Sequence, residues 1–357
     1  MSNFQSQNIT NIDEMFGECT NLTFFNMSIF NTDNVKSMRY LFDGCTSLTS
    51  IDFSNINTNN VINMEGMIKK CRSLVSLNLS NFNTEKVINM NHRFDGCSSL
   101  TSIDFSNFDT KNVKEMNSIF SGCFKITSLN LSNFNTTNVL NMDYMFLSCK
   151  SLISIDISKF ETQNVLSMRL MFYECISLET LNLSNFNTSN VLNMASMFES
   201  DYSLKILDIS SFNTEKVAVL SGMFAYCKNL VSINISNFNT QNVENMACMF
   251  DGCINLKSIN LWNFKTKKVR DIHFMFNYCH SLTHVNISSF YIDNSVDISH
   301  LFKGCNNLAF IDISSFHIKN SLTDIFYSVS NEGKIFVNND FYNYTKKSLP
   351  NWEIVLS

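Results

Sequence analysis

The sequence predicts an α/β solenoid of about twelve near-identical coils, each with one short strand and one short helix. Three observations predict it. The stretch Asn107-Phe108-Asp109-Thr110 through Val113, Met116 and Phe120 to Cys123 returns 26 residues later as Asn133-Phe134-Asn135-Thr136, continuing to Val139, Met142, Phe146 and Cys149. Cys19, Cys45, Cys71, Cys97, Cys123, Cys149, Cys175, Cys227, Cys253, Cys279 and Cys305 fall in one column of that period. Asp201 is the gap in the column, and only Cys248 is out of register. Each coil also passes from an alternating apolar and polar run to apolar residues spaced three and four apart.

The 357 residues therefore read as one repeat array rather than several globular domains, with 9 Gly and 1 Pro leaving little linker material. The array is expected over residues 4–327, followed by a C-terminal cap over 328–357. A net charge of -5 with scattered Lys and Arg offers no basic stripe for a phosphate backbone, which excludes nucleic acid as the expected partner. No apolar run is long enough to span a membrane, and Met1-Ser2-Asn3-Phe4-Gln5 lacks the basic and apolar regions of an export signal. The compartment is left open.

In chain order, the register starts in mid-coil at Phe4, so an uncapped first coil is expected, open to end-to-end pairing. From Leu22 each coil opens on a leucine column (Leu48, Leu74, Leu100, with Ile126 as a variant). Aliphatic or Phe residues three and five positions on, such as Ile51 and Phe53, alternate with polar ones, the period of a strand with one buried face. A Phe column follows, including Phe82, Phe108 and Phe134, and Thr lies two residues beyond. Val113, Met116, Ile119-Phe120 and Cys123 share one face of a short helix, with Thr110 as its N-cap. Gly44, Gly96, Gly122, Gly252 and Gly304 stand where a left-handed residue would end that helix. One strand and one helix per coil describe a leucine-rich-repeat horseshoe, strands on the concave face and helices on the convex face. The sequence leaves the repeat at Gly333-Lys334-Ile335-Phe336-Val337, and its one Pro, Pro350, lies beyond, where an edge tolerates it.

The recurring Asn-Phe-Asn-Thr-x-x-Val-x-x-Met-x-x-Met-Phe pattern is clearest at Asn185 to Phe198 and Asn237 to Phe250. It resembles the BspA-like leucine-rich-repeat surface proteins, of the mycoplasma lipoprotein-associated repeat type. The resemblance implies a surface or secreted role in adhesion or protein binding and no shared catalytic residues.

On the helix side, coils packed roughly 8–10 Å apart would hold the thiols beyond disulfide reach, leaving a ladder of reduced, buried cysteines. Cys248 next to Cys253 is the one pair worth a metal test. Five histidines (His273, His280, His284, His300, His317) fall in different columns, which gives no zinc site, and no enzyme motif is present. No metal or cofactor is expected, and the chain reads as a non-catalytic binding protein for a protein or glycan, or alternatively an intracellular scaffold or the recognition arm of a larger protein.

The outward strand positions carry the binding expectation. Ser fills the first and third, and Asn alternates with Asp in the second, where Asp104, Asp156 and Asp208 make the face mildly acidic. Ile206, His284 and Phe310 break the first Ser column, and Trp262 breaks the third. Aromatic and apolar residues on a polar face mark a docking site.

Overall fold

The computed structural model describes residues 8–318 and 323–357. The chain is a β-solenoid of about twelve turns with little helix, and it forms two compact units, Met1–Phe186 and Asn187–Ser357. The expected start of the register at Phe4, and with it the uncapped first coil, lies outside the described residues.

In the first unit, β1 (Phe24–Asn26) pairs in parallel with β2 (Ser50–Asp52), and β3 (Ser76–Asn78) with β4 (Ser102–Asp104). Every register step is 26 residues, as in Ser76↔Ser102, so the same side chain type repeats along each column. In later coils of this unit the strand shrinks to single contacts such as Asn130↔Asp156. In this unit the predicted strand is three residues long at most.

Among the described residues the predicted helices of the coils are absent. Residues 142–149 show what replaces them. The N–H groups of Tyr144, Phe146 and Ser148 donate to the carbonyls of Arg169, Met171 and Tyr173 in the next coil, at 2.9, 2.9 and 2.6 Å. The N–H groups of Met145, Leu147 and Cys149 donate within their own coil, to Met142, Tyr144 and Phe146. Tyr144 and Ser148 hold φ of 59° and 56° at the third position of successive turns, the signature of type II turns. The physical reason is spacing: helices pack roughly 8–10 Å apart, whereas backbone hydrogen bonds hold neighbouring coils at sheet distance, about 4.8 Å. Tandem turns still point Met142, Met145, Phe146 and Cys149 inward, all fully buried, which is why the spacing imitates a helix. The coils therefore do not splay on this side. The glycine column does take left-handed backbone (Gly122, φ 68°), but inside these turns. At Gly66 a Cβ would lie 2.3 Å from the ring of Tyr40, the bulky left-handed residue one coil earlier.

Thr110 does accept a backbone N–H, though not as a helix cap. Its buried hydroxyl accepts from the N–H of Asn135 at 2.7 Å and donates to the carbonyl of Asn135 at 2.8 Å. Thr58, Thr84 and Thr136 bind the next coil in the same way. Asparagine recurs because its side chain closes local turns: Asn63, Asn89 and Asn141 accept from the N–H two residues on at 2.7–3.0 Å. Phe94, Phe120, Phe146 and Phe172 stack 5.4–5.8 Å apart inside the coil, and Ile68 interrupts that stack.

The second unit repeats the scheme. Ser196, Phe198 and Ser200 donate to Ser221, Met223 and Ala225, and Thr188, Thr214, Thr240 and Thr266 bind the following coil. Where Thr gives way to Ile292, two short strands, β6 (Ile292–Asp293) and β8 (Phe316–His317), pair instead. Beside them β5 (His284–Asn286), β7 (Phe310–Asp312), β9 (Lys334–Val337) and β10 (Glu353–Leu356) form a parallel sheet in that order. Between β9 and β10 runs α1 (Asn339–Ser348), the one α-helix among the described residues, capped by the Asn338 side chain.

Arg93 brings a charged side chain into the core. It stands in the column of Met67 and Ile119 and is fully buried. Its guanidinium lies 4.9–5.4 Å from the rings of Phe82, Phe94 and Phe108 and donates to Met64 Sδ at 2.8 Å. Nε and Nη2 have no partner. Burial alone pushes its pKa down to about 9. Arg93→Met restores the column residue and is expected to stabilise the protein by roughly 2–4 kcal/mol in denaturant unfolding. A lower midpoint for the variant would show that the cation–π contacts outweigh the desolvation cost.

Candidate functional site

The sequence-selected residues fall into two groups. Asp104 and Asp156 lie in the first unit, exposed on the strand face, with Oδ1 accepting the N–H of Ser106 at 2.9 Å and of Ser158 at 3.0 Å. Asp208, exposed in the second unit, accepts from Ser210 at 3.0 Å. Hydrogen bonds from Ser158 and from Ser210 hold the carboxyls of Asp156 and Asp208 below the ordinary range. One oxygen of each carboxylate thus closes a turn, as Asn78 and Asn130 do in neighbouring coils.

Ile206, Trp262, His284 and Phe310 all lie in the second unit. Ile206 is 79% exposed and Trp262 69%. His284 and Phe310 are register partners in β5 and β7, and their rings stack with centroids 5.8 Å apart. Phe310 is half-buried, because β9 continues the sheet beside it and Phe336 approaches to 5.6 Å. The segment after the last coil therefore flanks Phe310 and leaves His284 exposed.

Trp262 borders a recess of about 370 Å³ lined by Asn260, Asn286, Ser288 and Ser289, together with Ile259 and Leu261. Ser289 also lines a neighbouring recess of about 270 Å³, with Lys265, Lys267 and Tyr291. An exposed indole, amide and hydroxyl groups, and two lysines are thereby gathered on adjacent coils. Sequence reading found Trp262 but missed Tyr291, which is 51% exposed and lies outside the strand columns. It also missed Phe24, 54% exposed, which breaks the first Ser column in the first unit.

The cysteines are free and, except Cys19 and Cys248, buried. The buried column thiols are hydrogen-bonded rather than idle: Cys71 and Cys97 donate to the carbonyls of Phe42 and Ile68 at 3.2 and 2.9 Å, and Cys253 and Cys279 to Phe224 and Phe250 at 3.1 Å. Burial pushes the thiols of Cys97, Cys149 and Cys305 up to about 12. Cys248 and Cys253, the pair worth a metal test, stand in different surroundings. Cys253 is fully buried, whereas Cys248 Sγ lies 3.9 Å from His273 Nε2. Beside it, Asp271, His273 and Asp297 each bring a potential metal-ligand atom within 4.8 Å of the others.

The sequence profile described as "Mycoplasma protein of unknown function, DUF285" matches residues 1–103, 71–180, 152–258 and 229–341. No curated protein matches the chain. Among solved structures, a leucine-rich-repeat protein of Leptospira interrogans is similar at 11% identity over 99% of this chain and 94% of its own, with a TM-score of 0.25. An internalin of Listeria monocytogenes shares 14% identity over 82% of each chain, with a TM-score of 0.20. The functional domain of InlJ from Listeria monocytogenes, which includes a cysteine ladder, shares 12% identity over 89% of this chain and 69% of its own, with a TM-score of 0.23.

A thiol reagent applied to the native chain is expected to modify Cys19 quickly, Cys248 slowly and the column thiols only after denaturation. Rapid native labelling of Cys97 or Cys149 would show that the coils open far more often than their hydrogen bonding implies.

Proposed function

The chain belongs to the Mycoplasma family described as DUF285, and from that premise we propose that it is a non-catalytic binding protein of the adhesin type. Its ligand is a protein or glycan that docks on the outward strand face of the second unit. The observation that carries this reading is Trp262, 69% exposed where neighbouring coils place Ser236 and Ser288. A large aromatic held out on a short, rigid strand turn loses little entropy on binding and supplies the area typical of interface anchors.

The recess beside the indole supports the same reading. Asn260 and Asn286 each spend Oδ1 on a turn N–H, leaving their amide N–H groups to donate outward. The stacked pair His284 and Phe310 adds a second apolar element on the same strand face. A family repeat this regular, with its buried column thiols hydrogen-bonded inside the coils, suits recognition better than turnover.

The test is a screen of the folded chain against immobilised extracellular-matrix proteins and a glycan array, followed by titration of any hit. Trp262→Ala is expected to weaken that ligand by about 2 kcal/mol, or about thirtyfold. Phe310→Ala should add a smaller loss, since its ring is already flanked by Phe336. Undiminished affinity in the Trp262→Ala, Phe310→Ala pair would move the site off this face.

A further inference from the structure

We infer that Asp271, His273 and Asp297 form a binding site for a divalent first-row transition ion that links two successive coils. The three side chains each present a ligand atom within 4.8 Å of the other two. Bonds of about 2.0–2.2 Å to a tetrahedral ion place ligand atoms roughly 3.3–3.6 Å apart, so small rotations of the exposed Asp297 and half-buried Asp271 and His273 close the set.

The departure from the repeat at these positions points to an ion. In this column the side chain normally closes a turn and is neutral: Asn193 and Asn245 accept the N–H two residues on, both at 2.9 Å. Asp271 and Asp297 do the same job, at 3.0 and 2.9 Å, so the turn alone does not require a charge. They are paired directly across the coils, which sets two carboxylates at sheet spacing, about 4.8 Å. Like charges so placed repel, and an ion offsets the repulsion where asparagine would have avoided it.

The donor set defines the class of ion. Two carboxylates and an imidazole suit Zn²⁺, Co²⁺ or Mn²⁺, and the nitrogen ligand disfavours Mg²⁺ and Ca²⁺. His273 Nδ1 faces Asp271 Oδ1 at 2.5 Å, the side from which the ion is held. Cys248 lies at the opposite ring nitrogen, its Sγ 3.9 Å from Nε2, and so stays outside the donor set. Partial exposure leaves coordination positions open to water.

The experiment uses the full chain carrying Cys19→Ser, which removes the exposed thiol as a competing ligand. Equilibrium dialysis against Zn²⁺ should give one ion per chain, and Co²⁺ loading should give a d–d spectrum without a sulfur charge-transfer band. Asp297→Asn and Asp271→Asn restore the column's usual residue, so both variants should fold, checked by circular dichroism. Each is expected to weaken Zn²⁺ at least tenfold, as is His273→Gln. No stoichiometric uptake by the parent chain, meaning a hydrogen-bonded His–Asp cluster only, overturns the proposal. So does unchanged affinity in Asp297→Asn, and a sulfur–cobalt band reassigns the site to Cys248 and overturns the donor set.

Discussion

A coil of 26 residues is too thin to satisfy its own backbone, and the fold depends on the next coil doing so. Along the turn side, alternate N–H groups reach across to the following coil, and the buried Thr column binds both the N–H and the C=O of one residue there. Buried backbone groups without partners cost on the order of 1–3 kcal/mol each, so the stack is cooperative between neighbours. Left-handed residues, the Gly column and the Asn-closed turns all follow from it. They bend the chain so that every second N–H faces outward along the stack while the apolar side chain between faces in.

The same constraint explains what the sequence revealed and what it concealed. The period, the buried Leu, Phe, Met and Cys columns and the outward Ser and Asn columns were all legible, because each follows from burial repeated at a fixed step. The helix was not, because Met142, Met145, Phe146 and Cys149 carry a spacing that tandem turns and a helix share. The signal that separates them was present in Tyr40 followed by Gly66, and Tyr226 followed by Gly252. A bulky residue alternating with glycine from coil to coil implies close backbone stacking, which helices would not allow.

The exposed residues that break a strand column, Ile206, Trp262 and His284, were legible in the sequence. Residues whose significance lies between coils were not. Asp271 and Asp297 look like ordinary members of an Asn column until the register sets them side by side, and His273 gains its neighbours only through the fold. Arg93 is the converse case: a charged residue that a column reading assigns to the core, and that the structure buries there against three phenylalanines.

Inter-coil hydrogen bonding, with the buried threonines as its side-chain component, holds the solenoid together. Thr136 offers the most direct measurement, because its hydroxyl accepts from Glu161 N–H at 2.7 Å and donates to Glu161 C=O at 2.9 Å. Urea unfolding of Thr136→Val, which keeps the shape and removes the hydroxyl, should show a loss of about 2 kcal/mol or more, against about 1 kcal/mol for Thr136→Ser, which keeps the hydroxyl and removes a methyl. A valine variant as stable as the parent, or more stable than the serine variant, would contradict the account and leave apolar packing as what holds the coils together.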